Sequence, residues 1–275
     1  MSARSKGLYD DPEIYDILHE PGTAGEIRML ERIWRRACVG APRAALEPAC
    51  GTGRYLERLA AKGWRVLGFD IDPSMVRYAS RRLRHAASGS HVWVDRFESF
   101  GRKVAPDSIG LAFCPINSIR HVGSDREMVA HLAAVRRALA PQGAYAVGMS
   151  LGAYGLEAPT EDVWTGRRAK TRVKQVVSYT PARGSRSPAA RAERVDSVLE
   201  IRRGRRCEVR SSSYSLLTYS REQWERVIAR AGLRVIGMVN ENAVRFDPGE
   251  IGYGIWILAR KDHPLASITG SARNG

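Results

Sequence analysis

The sequence predicts an α/β fold: a parallel sheet covered by helices on both sides and interrupted by an antiparallel β insertion. Three observations predict it. Between about 44 and 149, short apolar strands alternate with amphipathic helices, the rhythm of a parallel sheet clad on both faces. From 151 to 219 that rhythm gives way to strand-like runs joined by turn signals. A helix and two apolar strands then return.

Taken in order, residues 1–20 are polar and carry Tyr9 and Tyr15; they read as a short arm or lid before a helix near 24–37. The core strands are AALEPA, RVLGFD, HVWV, SIGLAFC and AYAVGMS. Gly63 stops the helix over 53–62. Asp72-Pro73 sets an N-cap before a proline at the first helical position. Ser124 and Glu127 have capping-box spacing, and Met128, Leu132, Val135 and Leu139 then share one face. VKQVVSY, SVLEIRR and RCEVRSSSYSLLTY read as strands of an insertion lying on the main sheet, with a hairpin turn at Gly204 and a mobile TPARGSRSPAARAER loop between. Ser220 and Gln223 cap a helix bearing Trp224, Val227, Ile228 and Ala231, closed by Gly232; LRVIGMV and YGIWILAR follow. The expected division is an arm and core over 1–150, the insertion over 151–217, completion of the core over 218–262, and a disordered tail over 263–275.

Composition narrows the class. With 44% hydrophobic and 27% charged residues, the 275-residue chain has the makings of a folded core. No stretch approaches the roughly 20 apolar residues of a membrane helix, and the first residues lack the apolar centre of a secretory signal. Cys38, Cys50, Cys114 and Cys207 are far apart and form no C-x-x-C, so no cysteine metal site is expected and a cytoplasmic protein is. The formal net charge is +15, and 161–210 holds fourteen Arg/Lys against six Asp/Glu. That excess suits polyanions or acidic substrates, or is a solvated arginine-rich surface.

The densest signal is ALEPACGTGRYLERLAAKGWRVLGFDIDPSM. A strand ends in Glu47, a turn follows with Gly51 and Gly53, and a second strand ends in Asp70. This is the pattern of a nucleotide site at the carboxyl end of a parallel sheet: glycines admit close backbone approach, and the second acid accepts ribose hydroxyls. The spacing by itself also allows NAD. Two details favour a ligand without phosphate. Leu56 replaces the third glycine that a pyrophosphate would want, and Glu47 suits an ammonium group rather than an anion.

Glu47-Pro48-Ala49-Cys50-Gly51-Thr52-Gly53 resembles the first motif of the class I S-adenosylmethionine (SAM)-dependent methyltransferases, with Ala49 at the family's usual first glycine. Phe69-Asp70-Ile71-Asp72-Pro73-Ser74-Met75 resembles their second. The resemblance runs from about 10 to 150 and resumes at 214–260. It implies a Rossmann-like class I methyltransferase sheet, mostly parallel with an antiparallel last strand, and SAM as cofactor. It also implies that Asp70 holds the ribose, that Ile71 and Met75 flank the adenine, and that Asp95 meets the adenine amine. Val94 and Arg96 stand where the family's Gly-Asp-Met pattern has glycine and methionine. Glu47, Ala49, Cys50, Gly51, Gly53, Arg96 and the Ile116 backbone complete the implied cofactor site. Tyr15 joins them because a similar arm closes the cofactor site in related enzymes. Arg54 either touches the cofactor carboxylate or only begins a helix.

At the end of the fourth strand, Asn117-Ser118-Ile119-Arg120-His121-Val122 resembles the Asn-Ser-Leu-x-His-Leu stretch of small-molecule N- and O-methyltransferases. Nucleic-acid amino-methyltransferases carry Asn/Asp-Pro-Pro-Tyr/Phe there, unlike Cys114-Pro115-Ile116-Asn117. The implied acceptor residues are Tyr9, Asn117, Ser118, His121 and Trp164, with His121 either a general base or a packing histidine. Tyr214-Ser215-Leu216-Leu217-Thr218-Tyr219 resembles the phrase that ends the family's extension, with Leu217 in place of its arginine. Such an extension roofs the acceptor pocket or makes a homodimer contact, and Trp164, Arg167 and Arg172 are candidates for either. The expectation is in-line methyl transfer from SAM to N or O of a small molecule. RNA or protein methylation, which the charge favours, and SAM binding without chemistry are the alternatives.

Overall fold

A computed structural model describes residues 7–247, 249 and 251–265. Helices α1 (Pro12–His19) and α2 (Thr23–Ala37) precede the core. The core then runs β1 (Ala44–Pro48), α3 (Arg54–Ala60), β2 (Arg65–Asp70), α4 (Pro73–Arg82), β3 (His91–Val94), β4 (Ile109–Cys114), α5 (Asp125–Ala138) and β5 (Leu139–Leu151). An excursion of four strands follows: β6 (Thr160–Arg168), β7 (Thr171–Thr180), β8 (Ala192–Arg203) and β9 (Arg206–Leu217). Helix α6 (Arg221–Arg230), β10 (Leu233–Val239) and β11 (Gly252–Arg260) return to the core.

The seven core strands lie in the order β10-β11-β5-β4-β1-β2-β3, and β11 is antiparallel to both its neighbours while the other pairs are parallel. Strands β1 and β4 are buried along their whole length, as expected of central strands covered on both faces. One apolar cluster packs α5 and α6 on one side of the sheet through Leu132, Val135, Trp224 and Val227. A second packs α2 and α3 on the other through Ile27, Leu30, Leu56 and Leu59. The reversal of strand order between β1 and β4 opens a crevice at the carboxyl ends, where an open α/β sheet binds its ligand.

The start signals act as the sequence predicts. The Asp72 carboxylate accepts from the Ser74 and Met75 N–H groups, and Ser220 with Gln223 forms a full capping box. At α5 the box is half made: Ser124 accepts from Glu127 N–H, but the Glu127 carboxylate reaches Gly123 N–H instead of the cap.

Four expectations need correction. The arm contains a helix, α1, because Asp11 caps it and Pro12 starts it. The insertion does not extend the main sheet. It is a separate antiparallel sheet, β6-β7-β8-β9, with an extra strand at Thr160–Arg168 whose mostly exposed residues show no alternation. Its buried face carries Val173, Leu199 and Ile201, which cluster with Leu8, Ile14, Ile17 and Leu18 of the arm. The arginine-rich loop is pinned at Arg191, which is 4% exposed, donates to Thr218 O and pairs with Asp125 at 2.9 Å. The start of the expected tail is packed too: His263 is buried, and Arg234 donates to its carbonyl at 2.8 Å. Residues 266–275 of that tail lie outside the described residues.

Candidate functional site

A cavity of about 600 Å³ sits where β1, β2 and β4 end, with Tyr15 and His19 of α1 among its lining. Its floor is the turn after β1. Ala49, Gly51 and Gly53 all take left-handed backbone angles (φ 53°, 50° and 71°), so the chain doubles back tightly before α3. Gly51 faces the cavity with the Tyr15 ring 3.5 Å from where a Cβ would stand. Gly53 does not line the cavity. A Cβ there would come within 2.9 Å of the Ala79 methyl, so this glycine serves close packing of the turn on α4.

Two carboxyl groups flank the turn. Glu47 is 3% exposed, and its Oε2 has no hydrogen-bond partner. Burial pushes its pKa well above the ordinary carboxyl value, although the Arg54 guanidinium pulls the other way. Such a group is poised for a cation. Asp70 accepts from Gly51 N–H and Asp72 N–H, both at 2.9 Å, one on each oxygen. Burial raises its pKa and those hydrogen bonds lower it, with burial ahead. Each Asp70 oxygen keeps a lone pair for a neighbouring hydroxyl.

Arg54 opens α3 and is also a cavity residue. It is 3% exposed, held by Thr23 Oγ1 at 2.7 Å, Glu26 at 2.6 Å and the Tyr55 hydroxyl. Its guanidinium lies 3.9 Å over the Tyr55 ring. Glu47 and Arg54 therefore give the cavity a carboxyl and a guanidinium group, the pair an amino acid's ammonium and carboxylate need.

Across the floor, Ile71 and Met75 line the cavity beside Asp95 and Arg96. Asp95 is already tied down by Trp93 Nε1 (3.0 Å), Lys103 Nζ (2.8 Å), Ser99 and Arg96 N–H. Burial works against its charge, but these donors outweigh it and bring the pKa down to about 2.

The third wall follows β4. Ile116 and Asn117 are consecutive non-glycine residues with φ 59° and 61°. For a β-branched residue that is a strained conformation, of the kind held in place at working sites at about 1–3 kcal/mol each. Gly148 makes room for it: a Cβ there would stand 2.7 Å from Ile116 N. The Asn117 side chain clamps the turn to β5, donating to Ser150 Oγ at 2.8 Å and accepting from Ser150 N–H at 2.7 Å. Asn117 thus holds the turn and is not itself a cavity residue, whereas Ile116, Ser118 and His121 are.

Aromatic rings close the top. Tyr9 lies 5.7 Å from both His121 and Tyr214, and His121 lies 5.4 Å from Tyr214. The Tyr15 ring lies 4.4 Å from His19, tilted by 38°, and His19 is 5.7 Å from Trp164. Trp164 stands behind His19, outside the cavity lining, because β6 packs on the far side of α1. The His121 ring lines the cavity and is exposed. Desolvation by the surrounding protein, and then the neighbouring Arg120 charge, push its pKa down to about 4. His19 is likewise pushed down to about 4, chiefly by burial. Both are neutral imidazoles at pH 7. Sequence reasoning missed His19, whose signal was present: it follows Tyr15 by four on a capped helix and so shares its face.

Residues 45–143 match the family model described as a methyltransferase domain. This segment is a methyltransferase domain. The chain as a whole has the fold of solved methyltransferases. It is similar to DesVI of Streptomyces venezuelae at 17% identity and TM-score 0.72, over 93% of this chain and 99% of that one. The sugar N-methyltransferase KedS8 from Streptoalloteichus sp. superposes at 18% identity and TM-score 0.70, over 94% and 96%. CalS10, an amino pentose methyltransferase from Micromonospora echinaspora solved with SAM bound, does so at 20% and 0.66, over 95% and 100%. No curated protein matches this sequence. These likenesses extend over more of the chain than the matched domain does. Among the described residues no helix is long and apolar enough to cross a membrane.

Proposed function

We propose that the protein transfers the methyl group of SAM to an amine nitrogen of a small-molecule acceptor of the amino-sugar class. The observation that carries the cofactor is the unpartnered, buried oxygen of Glu47, which lines the cavity together with Arg54. Glu47 takes the ammonium of the methionine moiety and Arg54 its carboxylate. Asp70 takes the ribose hydroxyls. Ile71 and Met75 sandwich the adenine, whose amine reaches Asp95. When bound, SAM supplies an electrophilic methyl on a sulfonium cation. Tyr9, Tyr15 and the rings around them present aromatic faces suited to that cation, at roughly 0.5–2 kcal/mol per contact. They also exclude water from the line of attack.

An amine is favoured over a hydroxyl by the acceptors named for KedS8 and CalS10, and His121 is consistent with it. An alcohol needs a base, and an imidazole with a pKa near 4 is a weak one. A free amine brings its own lone pair. The amino-sugar class is supported by the acceptors named for KedS8 and CalS10. The test is incubation with isotopically labelled SAM and matched amino and hydroxy sugars, read by mass spectrometry. Label in the amino sugar alone supports the reading. Transfer confined to hydroxyls overturns it. His121→Ala should lower amine turnover by less than about ten-fold, since no base step is removed.

A further inference from the structure

Asp16 is 0% exposed and its carboxylate gathers donors from three other elements. Its Oδ1 accepts from Thr52 Oγ1 in the cofactor turn at 3.0 Å. Its Oδ2 accepts from Arg82 of α4 at 2.8 Å, from Tyr78 of α4 at 3.4 Å, and from Arg168 at the end of β6. The preceding residue, Tyr15, lies against Gly51 in the cavity. One residue further on, the Ile17 carbonyl lies flush on β6: a Cβ at Gly166 would stand 2.3 Å from it. Helix α1 is therefore held between the core and the insertion, and a single carboxylate is bonded to both.

We propose that Asp16 is a positioning residue: it latches α1 over the cofactor turn and ties the acceptor roof to the cofactor site. The proposal deepens the SAM reading and rests on it for the ligand arm of its test. Tyr15 occupies the cavity end near Glu47 and Arg54, so SAM entry and product exit require α1 to lift. Lifting breaks the Asp16 bonds to Thr52, Tyr78 and Arg82 if α1 leaves with the insertion, and the bond to Arg168 as well if it leaves alone. Seating α1 restores all of them. A ligand that favours the seated helix from either side thereby favours the other ligand, a positive coupling between cofactor and acceptor.

The test uses the full chain. Arg168→Met removes the tether to the insertion at a side chain that is 39% exposed, and so leaves the core intact. Arg168→Lys keeps a charged donor. Asp16→Asn weakens all the bonds together. In the ligand-free protein, hydrogen exchange of the 12–19 amides should rise roughly ten-fold in Arg168→Met, the effect of losing one charge-assisted hydrogen bond, and recover in Arg168→Lys. The dissociation rate of S-adenosylhomocysteine should rise by a similar factor. If Asp16→Asn does not fold, Arg168→Met decides the matter. Unchanged α1 exchange and unchanged product release in folded Arg168→Met would overturn the latch. Failure of the unaltered protein to bind S-adenosylhomocysteine would overturn the SAM reading instead, with the exchange arm still deciding whether Asp16 holds the helix.

Discussion

Replacing Glu47 by glutamine should move stability and cofactor affinity in opposite directions. Glu47 is 3% exposed with one oxygen unpartnered, and burial holds its pKa well above 4.5. A carboxyl group whose folded pKa is raised stabilises the fold fully below its unfolded value. That stabilisation is lost as pH rises through the folded value. At pH 7 the wild-type residue is therefore a burden, and a neutral amide of the same shape relieves it. Removing the cost of ionising a buried carboxyl should stabilise the fold, and about 1 kcal/mol of it raises the melting temperature by about 2–4 °C in a chain of this size. The advantage should grow from pH 5 to pH 8 in thermal scans without ligand. Binding responds the other way. Losing a hydrogen bond between charged partners removes about 1.5–3 kcal/mol, or roughly 10–150-fold in the SAM dissociation constant measured by calorimetry. Wild-type SAM binding should also release a proton, visible as a dependence of heat on buffer ionisation enthalpy that the variant lacks. A Glu47→Gln protein that is less stable than wild type and binds SAM equally well would refute this account of the cavity.

Two further outcomes follow from the backbone and from a buried imidazole. Ala49 stands in a left-handed conformation (φ 53°) that costs an L-residue about 1–2 kcal/mol, so Ala49→Gly should raise thermal stability slightly, by up to about 1 kcal/mol after the glycine's extra unfolded-state entropy; a loss of stability would show that the methyl group packs better than the strain costs. His131 is fully buried, with its ring nitrogens facing Phe97 O at 3.2 Å and the Tyr145 hydroxyl at 2.9 Å, and burial depresses its pKa from 6.5 to about 4. Its contribution is complete above pH 6.5 and is lost as pH falls toward 4, on the order of 3 kcal/mol. Urea midpoints should fall as pH drops across that window in the wild type and fall less in His131→Gln.

The core was legible because its signals are local. Strand alternation, the Asp72-Pro73 cap and the Ser220/Gln223 box each depend on neighbours within a few residues, and each reappears in the structure. The cavity floor was legible for the same reason: Glu47, Gly51 and Asp70 stand at strand ends that the pattern locates. What escaped depends on partners far along the chain. Gly53 looked like a ligand glycine until Ala79, on another helix, was seen against it. Asn117 sits in a motif that suggests acceptor contact, but its amide is taken by Ser150 across the sheet. Strand β6 lacks alternation because most of its residues are exposed, so no period betrays it. Trp164, placed in the pocket from sequence, instead backs His19, a residue no motif singled out.

The shared cluster of Leu8, Ile14, Ile17 and Leu18 with Val173, Leu199 and Ile201 has a bearing on how the molecule is made. The first helix leaves the ribosome early, yet its apolar partners lie more than 150 residues downstream, a delay of roughly 10–30 s at ordinary elongation rates. Until then its greasy face has nothing to cover it, and the closure of so long a loop comes late in assembly. A nascent chain can therefore complete its central strands while the first helix is still without its cover.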